Sequence, residues 1–133
     1  MSTLSLNIVT PGGISYHGEA KSVLVHTTEG DICILPNHSN YVATLEIGRV
    51  KITTETGVRS AACSGGFISV AGKSVNIVAA TFEYADEIDL LRAQKAKERA
   101  EKILADQTAD KDIRLAEMKL KRALNRIKIA ENR

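Results

Sequence analysis

The sequence predicts an α+β chain, with an antiparallel β-sandwich over residues 1–85 and an antiparallel two-helix hairpin over residues 86–133. Two observations carry this. Up to Ala85, short apolar runs alternate with turns marked by glycine, whereas residues 86–133 contain no Gly or Pro and are dominated by Ala, Leu, Lys, Arg and Glu. Glycine and proline punctuate sheets and interrupt helices, so their disappearance marks a change of architecture.

In the first part, Leu4, Leu6 and Ile8 alternate with Ser5, Asn7 and Val9 ahead of Pro11-Gly12-Gly13, a strand running into a turn. Comparable runs follow at 22–26, 32–35, 41–45, 49–54, 59–63, 67–70 and 75–79. Turns are expected at Glu29-Gly30, Pro36-Asn37, Ile47-Gly48, Thr56-Gly57, Gly65-Gly66 and Gly72-Lys73. Short strands at this spacing imply a sandwich or flattened barrel. Helical crossovers are lacking, which argues against a parallel sheet.

In the second part, Asp86 is the expected N-cap, with Asp89 three residues later able to return to the first-turn amides. The helix is expected to end at Leu104 or Ala105. Asp106-Gln107-Thr108-Ala109-Asp110 then supplies a polar reversal before a second helix near 113–130. Ile113, Ala116, Leu120, Ala123, Ile127 and Ala130 form an apolar stripe, matched less well by Leu90, Ala93, Ala96 or Lys97, Ala100 and Leu104. Alanine seams bury little area, so an extended second helix that finds another apolar partner competes with the closed hairpin. A static hairpin is equally consistent with the periodicity.

Composition removes several function classes. Aromatic residues are 4% of the chain and Trp is absent, which weakens any reading built on stacking bases. No apolar run approaches the ~20 residues of a membrane span, and no basic-then-apolar leader opens the chain, so it is expected to stay in the compartment where it is made. Cys33 and Cys63 sit in strand-like runs and read as small buried hydrophobes. His17, His26 and His38 lack neighbours at ligand spacing, so no metal site is expected. Gly72-Lys73-Ser74 imitates the end of a phosphate loop, but Phe67 stands where its first glycine is required and no helix follows. With no nucleophile elbow and no paired carboxylates, no catalytic residue is assigned.

Charge is uneven. Residues 86–133 carry thirteen basic and ten acidic groups, and residues 114–133 alone carry seven basic against two acidic. In a hairpin centred near Thr108, Arg92 falls opposite position 124, between Arg122 and Arg126, with Arg99 two turns away on a similar side. Guanidinium groups this close call for an anion or carboxylates between them, and their forks suit phosphate oxygens. The alternative is a solvated basic helix with its arginines fanned into water.

Three segments together resemble the epsilon-subunit family of bacterial rotary (F-type) ATP synthases. They are Ile32-Cys33-Ile34-Leu35-Pro36-Asn37-His38, Ser64-Gly65-Gly66-Phe67, and Leu120-Lys121-Arg122-Ala123-Leu124-Asn125-Arg126. Cys33 stands where a glycine is common in the family, and Ser39 where proline is frequent. The resemblance implies a non-catalytic central-stalk subunit of a proton- or sodium-translocating synthase, peripheral at the cytoplasmic face of the bacterial membrane. It implies contact with the gamma subunit and the membrane c-subunit ring. In an extended state the helices would contact the alpha and beta subunits of the catalytic head and restrain ATP hydrolysis. Glu29, Asp31 and His38 are the implied rotor-ring contacts.

Ile88-Asp89-Leu90-Leu91-Arg92-Ala93 also resembles a nucleotide motif of some family members. By that resemblance Arg92, Arg99, Arg122 and Arg126 would hold or sit near phosphates, while Glu83, Ile88, Asp89 and Ala93 would shape the base and ribose side. ATP, with magnesium as a companion ion, would then be a regulatory ligand that favours the folded hairpin. Two alternatives stand beside this reading: a structural coupling subunit without ATP sensing, and a small nucleic-acid-binding sandwich with a basic arm. The resemblance implies no nucleic-acid partner.

Overall fold

A computed structural model describes residues 2–106 and 110–132. Contacts divide the chain into two compact units, Met1–Tyr84 and Ala85–Arg133.

The first unit consists of strands β1 (Leu4–Thr10), β2 (Gly13–Ala20), β3 (Ser22–Thr27), β4 (Gly30–Ile34), β5 (Tyr41–Thr44), β6 (Gly48–Thr54), β7 (Gly57–Ala71) and β8 (Ser74–Tyr84). Hydrogen bonding orders them β2-β1-β8-β7-β6-β3-β4, and β5 also pairs with β7. The two long strands build both layers. The first half of β7 pairs with β6 through Gly57–Cys63, and its second half pairs with β5 through Phe67–Val70. β8 shifts likewise, lying beside β1 in its first half. One layer is therefore β2-β1-β8-β7-β5 and the other carries β6, β3 and β4.

Alternating side chains fill the space between them, except along 61–64 of β7, where four consecutive residues are buried. Leu4, Leu6, Ile8, Val23, Val25, Val50, Ile52, Ile68, Val75 and Ile77 are each at most 1% exposed. At about 1.5–3 kcal/mol per fully buried aliphatic side chain, this core dominates the unit's stability. Tyr84 closes the end of β8. Its hydroxyl donates to Ser15 O at 2.7 Å, and the Arg59 guanidinium lies 3.6 Å from its ring centre.

Four details depart from the sequence reading. The 59–63 and 67–70 runs are one strand, and Gly65-Gly66 is no turn. Both glycines have positive φ, 71° and 115°, and bend β7 where it passes from β6 to β5. A Cβ on Gly66 would lie 1.9 Å from Val78 O. β2 occupies a stretch whose alternation is weak: its inward positions are Tyr16, Gly18 and Ala20, of which only Ala20 is fully buried, and main-chain pairing with β1 holds the rest of this outer strand. β1 and β8 pair in parallel. No helical crossover is required there, since the six intervening strands make the connection. Cys33, expected to be buried, is exposed: alternation along β4 turns Ile34 inward and Cys33 outward. Cys63 is buried, as expected.

The second unit begins with a 3-10 turn, Ala85–Glu87, followed by α1 (Leu90–Asp106) and α2 (Asp110–Glu131). The expected N-cap, Asp86, lies inside the 3-10 turn. Asp89 does the capping instead, its Oδ1 accepting from the Arg92 amide at 3.1 Å. Part of the expected reversal, 107–109, lies outside the described residues. The α1 and α2 seams match the expected stripes: Ala93, Ala100, Ala116, Ala123 and Ala130 are 0–6% exposed, while Ile113, Leu120 and Ile127 are half-buried. At about 0.8 kcal/mol per buried methyl-sized group, five alanines supply about 4 kcal/mol, roughly what two leucines would. The seam is close but thin.

Candidate functional site

The outer face of the β2-β1-β8-β7-β5 layer is the most distinctive surface of the sandwich unit. Register places Val9 opposite both Ile14 and Val78, Val78 opposite Phe67, and Phe67 opposite Thr44. One row thus crosses five strands, about 20 Å at ordinary strand spacing. Ile14, Val9, Val78 and Phe67 are 74%, 36%, 37% and 46% exposed, so the row is apolar yet open to solvent. The next row is His17, Asn7, Asn76, Ser69 and Val42. Beyond it come Glu19, Ser5, Ser74 and Ala71. None of these three rows contains Lys, Arg or Asp, and Glu19 is their single carboxylate. A solvated sheet face normally alternates charged residues to blunt association, and charge depletion around exposed apolar side chains marks an interface. The face could not be read from the sequence, because Val9 follows the core residue Ile8 and only register joins it to Val78 and Phe67.

At the β3–β4 turn, the buried Thr27 hydroxyl donates to Gly30 O at 2.9 Å and accepts from the Glu29 amide at 3.1 Å. This leaves the Glu29 side chain exposed. Asp31 faces His26 across the strand pair, with Oδ1 2.8 Å from Nδ1. His38 follows the Asn37 turn beyond the other end of β4, edge-on to Tyr41 at 5.9 Å. Glu29 and Asp31 therefore share one turn, and His38 is separated from it by roughly 17 Å of strand.

In the helical unit, Arg92 and Arg99 are exposed and line an open groove of about 580 Å³ on α1 together with Asp89, Lys95, Glu98 and Lys102. A second groove is lined by Ile103 and Asp106 of α1 and by Asp112, Leu115 and Lys119 of α2, so the helices run antiparallel. Continuing that register brings Arg92 level with Arg126, one turn from Arg122. At about 100° per residue, Arg92 and Arg99 sit about 100–120° to one side of the Ala93–Ala100 line. Arg122 and Arg126 sit about 80–120° to the same rotational side of the Ala116–Ala123 line. Antiparallel packing converts equal offsets into one shared flank, although Arg122 and Arg126 do not line the α1 groove. Arg122 is exposed and Arg126 half-buried.

The remaining sequence-predicted residues have structural places. Ile88 is buried at 6% exposure, Ala93 is fully buried in the seam, and Asp89 caps α1. Glu83 belongs to the sandwich unit, half-buried on β8 opposite Ala62. Among the described residues no three His, Cys, Asp or Glu side chains are grouped closely enough to hold a metal ion. No helix among them is long and apolar enough to cross a membrane. The Cys63 thiol, shut away from water, is pushed up from an ordinary 9.0 to about 11 and is a poor nucleophile near neutral pH.

Comparison with known proteins agrees with this two-part organisation. The family model for the β-sandwich domain of the ATP synthase delta/epsilon chain matches residues 3–85, and that for its long α-helix domain matches residues 86–131. The chain belongs to the ATP synthase delta/epsilon family. The ATP synthase epsilon chain of Bacillus velezensis is 44% identical over 132 residues, covering 99% of this chain and 100% of the relative. That of Ruminococcus albus is 39% identical over 134 residues, with both chains fully covered. A chain of the Euglena gracilis mitochondrial ATP synthase shares the fold with a TM-score of 0.84 at 21% identity, over 94% of this chain and 79% of that one. A chain of the Tetrahymena thermophila central stalk and c ring aligns with a TM-score of 0.61 at 14% identity, over 98% and 99%. The delta/epsilon chain described here is thus an epsilon-type, non-catalytic subunit of ATP synthase and not an enzyme.

Proposed function

We propose that this delta/epsilon-family chain is a central-stalk subunit that joins the rotor to the catalytic head, peripheral at the cytoplasmic face of the membrane. The sandwich docks on the gamma subunit through its charge-poor five-strand face and turns the Glu29–Asp31 hairpin end toward the c ring. The exposed row Ile14, Val9, Val78 and Phe67 carries this reading. A rigid sheet face suits a coupling part, because little conformational order is lost when it docks. The structural neighbours' descriptions, a head with c ring and a central stalk with c ring, support the same placement. The test is co-purification with a gamma-containing head. Replacing both Phe67 and Val78 by Asp buries two carboxylates in the contact and abolishes co-purification; retained binding refutes the reading.

The hairpin regulates ATP hydrolysis. Its thin seam makes the closed form easy to open, and the basic 114–133 segment suits acidic surfaces of the head, alpha and beta subunits included. ATP, with magnesium, favours the closed form by bridging the arginines of α1 and α2 on their shared flank. Closure stabilised by a ligand grows with its concentration over Kd. Titration of the isolated chain with ATP, repeated with Arg92→Ala and Arg126→Ala, tests this. Each substitution lowers affinity about tenfold or more, since charge-assisted bonds contribute about 1.5–3 kcal/mol. Unchanged affinity in both variants leaves a coupling subunit without ATP sensing.

A further inference from the structure

The second row of the sandwich face is a directional hydrogen-bond ladder. Asn7 on β1 stands opposite His17 of β2 and Asn76 of β8. An amide oxygen only accepts, so His17 Nδ1 carries the proton that it shares with Asn7 Oδ1. Asn7 Nδ2 then donates to Asn76 Oδ1 at 3.4 Å. One Nδ2 donor of Asn7 meets an acceptor in the row, and beyond it lie the Nδ2 donors of exposed Asn76 near the middle of the layer and Nε2 of exposed His17 at its edge.

Amide and imidazole dipoles strung head to tail reinforce one another. The three side chains also restrain one another's rotamers, so the order that docking demands is present beforehand. Asn76 and His17 are exposed, and the row lies one step along the strands from Val9, Val78 and Phe67. A partner lying on the apolar row must also cover the ladder. A buried amide donor without an acceptor is costly, about 1–3 kcal/mol, so the ladder discriminates among surfaces that the apolar row alone would accept.

We propose that this ladder is a specificity-determining row of the docking face, with Asn76 donating to an uncharged acceptor on the protein that covers it. A main-chain carbonyl or a side-chain amide oxygen fits. A carboxylate or phosphate does not, because no Lys or Arg stands in these rows to meet it. The inference rests on the reading of this face as the gamma-binding surface.

The test uses the full chain and an immobilised gamma-containing head, with affinities measured by biolayer interferometry. Phe67→Asp probes the face itself. Asn76→Ala removes the terminal donor, Asn7→Ala breaks the ladder behind it, and the double variant reports their coupling. All three polar side chains lie on the solvent side of the sheet, and matching thermal midpoints verify folding. Asn76→Ala is expected to weaken binding about tenfold and Asn7→Ala about threefold, with the double variant no weaker than Asn76→Ala. Asn76→Asp, which replaces the donor by an acceptor of the same size, loses at least as much. If Phe67→Asp abolishes binding while all the asparagine variants bind as the parent does, the ladder proposal is overturned and the docking face stands. If Phe67→Asp binds normally, both fall.

Discussion

Replacing Gly66 by alanine should be the most damaging single-methyl change in the sandwich. The new Cβ would lie 1.9 Å from Val78 O and 2.9 Å from both Ala79 Cα and Val78 C. All three atoms are backbone of β8, so no side chain can swing away and the β7–β8 ladder itself must open. Overpacking of this kind costs about 1–3 kcal/mol. The φ of 115° adds strain of about 1–3 kcal/mol for any residue with a Cβ. Lost ladder bonds between Ser64 and Phe67 add about 1 kcal/mol each. A total of about 4–6 kcal/mol is a large part of the 5–15 kcal/mol of an ordinary domain. Gly65→Ala is the control: its φ is also positive, at 71°, but the nearest atom to its Cβ is the Ala80 methyl at 3.9 Å, so it should lose only about 1–2 kcal/mol. The assay is urea unfolding followed by the near-ultraviolet signal of tyrosine. Tyr16, Tyr41 and Tyr84 all lie in the sandwich unit and Trp is absent, so melting of the helices does not enter the signal. If Gly66→Ala costs no more than Gly65→Ala, the steric argument is wrong.

Three further outcomes are expected. Ala100→Leu and Ala123→Leu wedge the helical seam and destabilise the closed hairpin by about 1–3 kcal/mol each; the 222 nm thermal transition falls, and an unchanged midpoint would show that the seam has slack. Asp89→Ala removes the cap of α1 at a cost of about 1 kcal/mol, with hydrogen exchange accelerated at the Arg92 amide in particular. Cys33 reacts promptly with thiol reagents in the folded chain while Cys63 stays protected until unfolding. Because folding raises the Cys63 thiol from 9.0 to about 11, the folded state holds its proton longer. The associated stability is complete below pH 9 and is lost as pH rises through about 11, at about 1.4 kcal/mol per pH unit within that window. Cys63→Ala removes this alkaline slope, as urea melts at pH 8 and pH 10.5 would register.

Much of the helical unit was legible because one element carries its own periodicity. Ala93, Ala100, Ala116, Ala123 and Ala130 announce the seam by spacing alone, and the structure buries each of them. The cap was displaced by three residues because Asp86 and Asp89 are equal as capping chemistry, and only the 3-10 turn at Ala85–Glu87 decides between them. In the sandwich, the inward alternation of β1, β3 and β6 was plain. β2 escaped notice because its inward positions, Tyr16, Gly18 and Ala20, are part-polar or small and make a weak apolar pattern. The exposure of Cys33 was hidden for a related reason, since a short apolar run does not say which of its residues turn inward.

The amino-acid order by itself determined the division into sheet and helices, the alanine seam of the helices and the basic character of the last helix. These properties depend on the chemistry of neighbouring residues and on a repeat of two or 3.6. Tertiary structure decided the parallel pairing of β1 with β8, the bend of β7 at Gly65-Gly66, and the apolar row that unites Ile14, Val9, Val78 and Phe67. Those depend on register between strands far apart in the chain, where a shift of one residue turns every side chain to the opposite face.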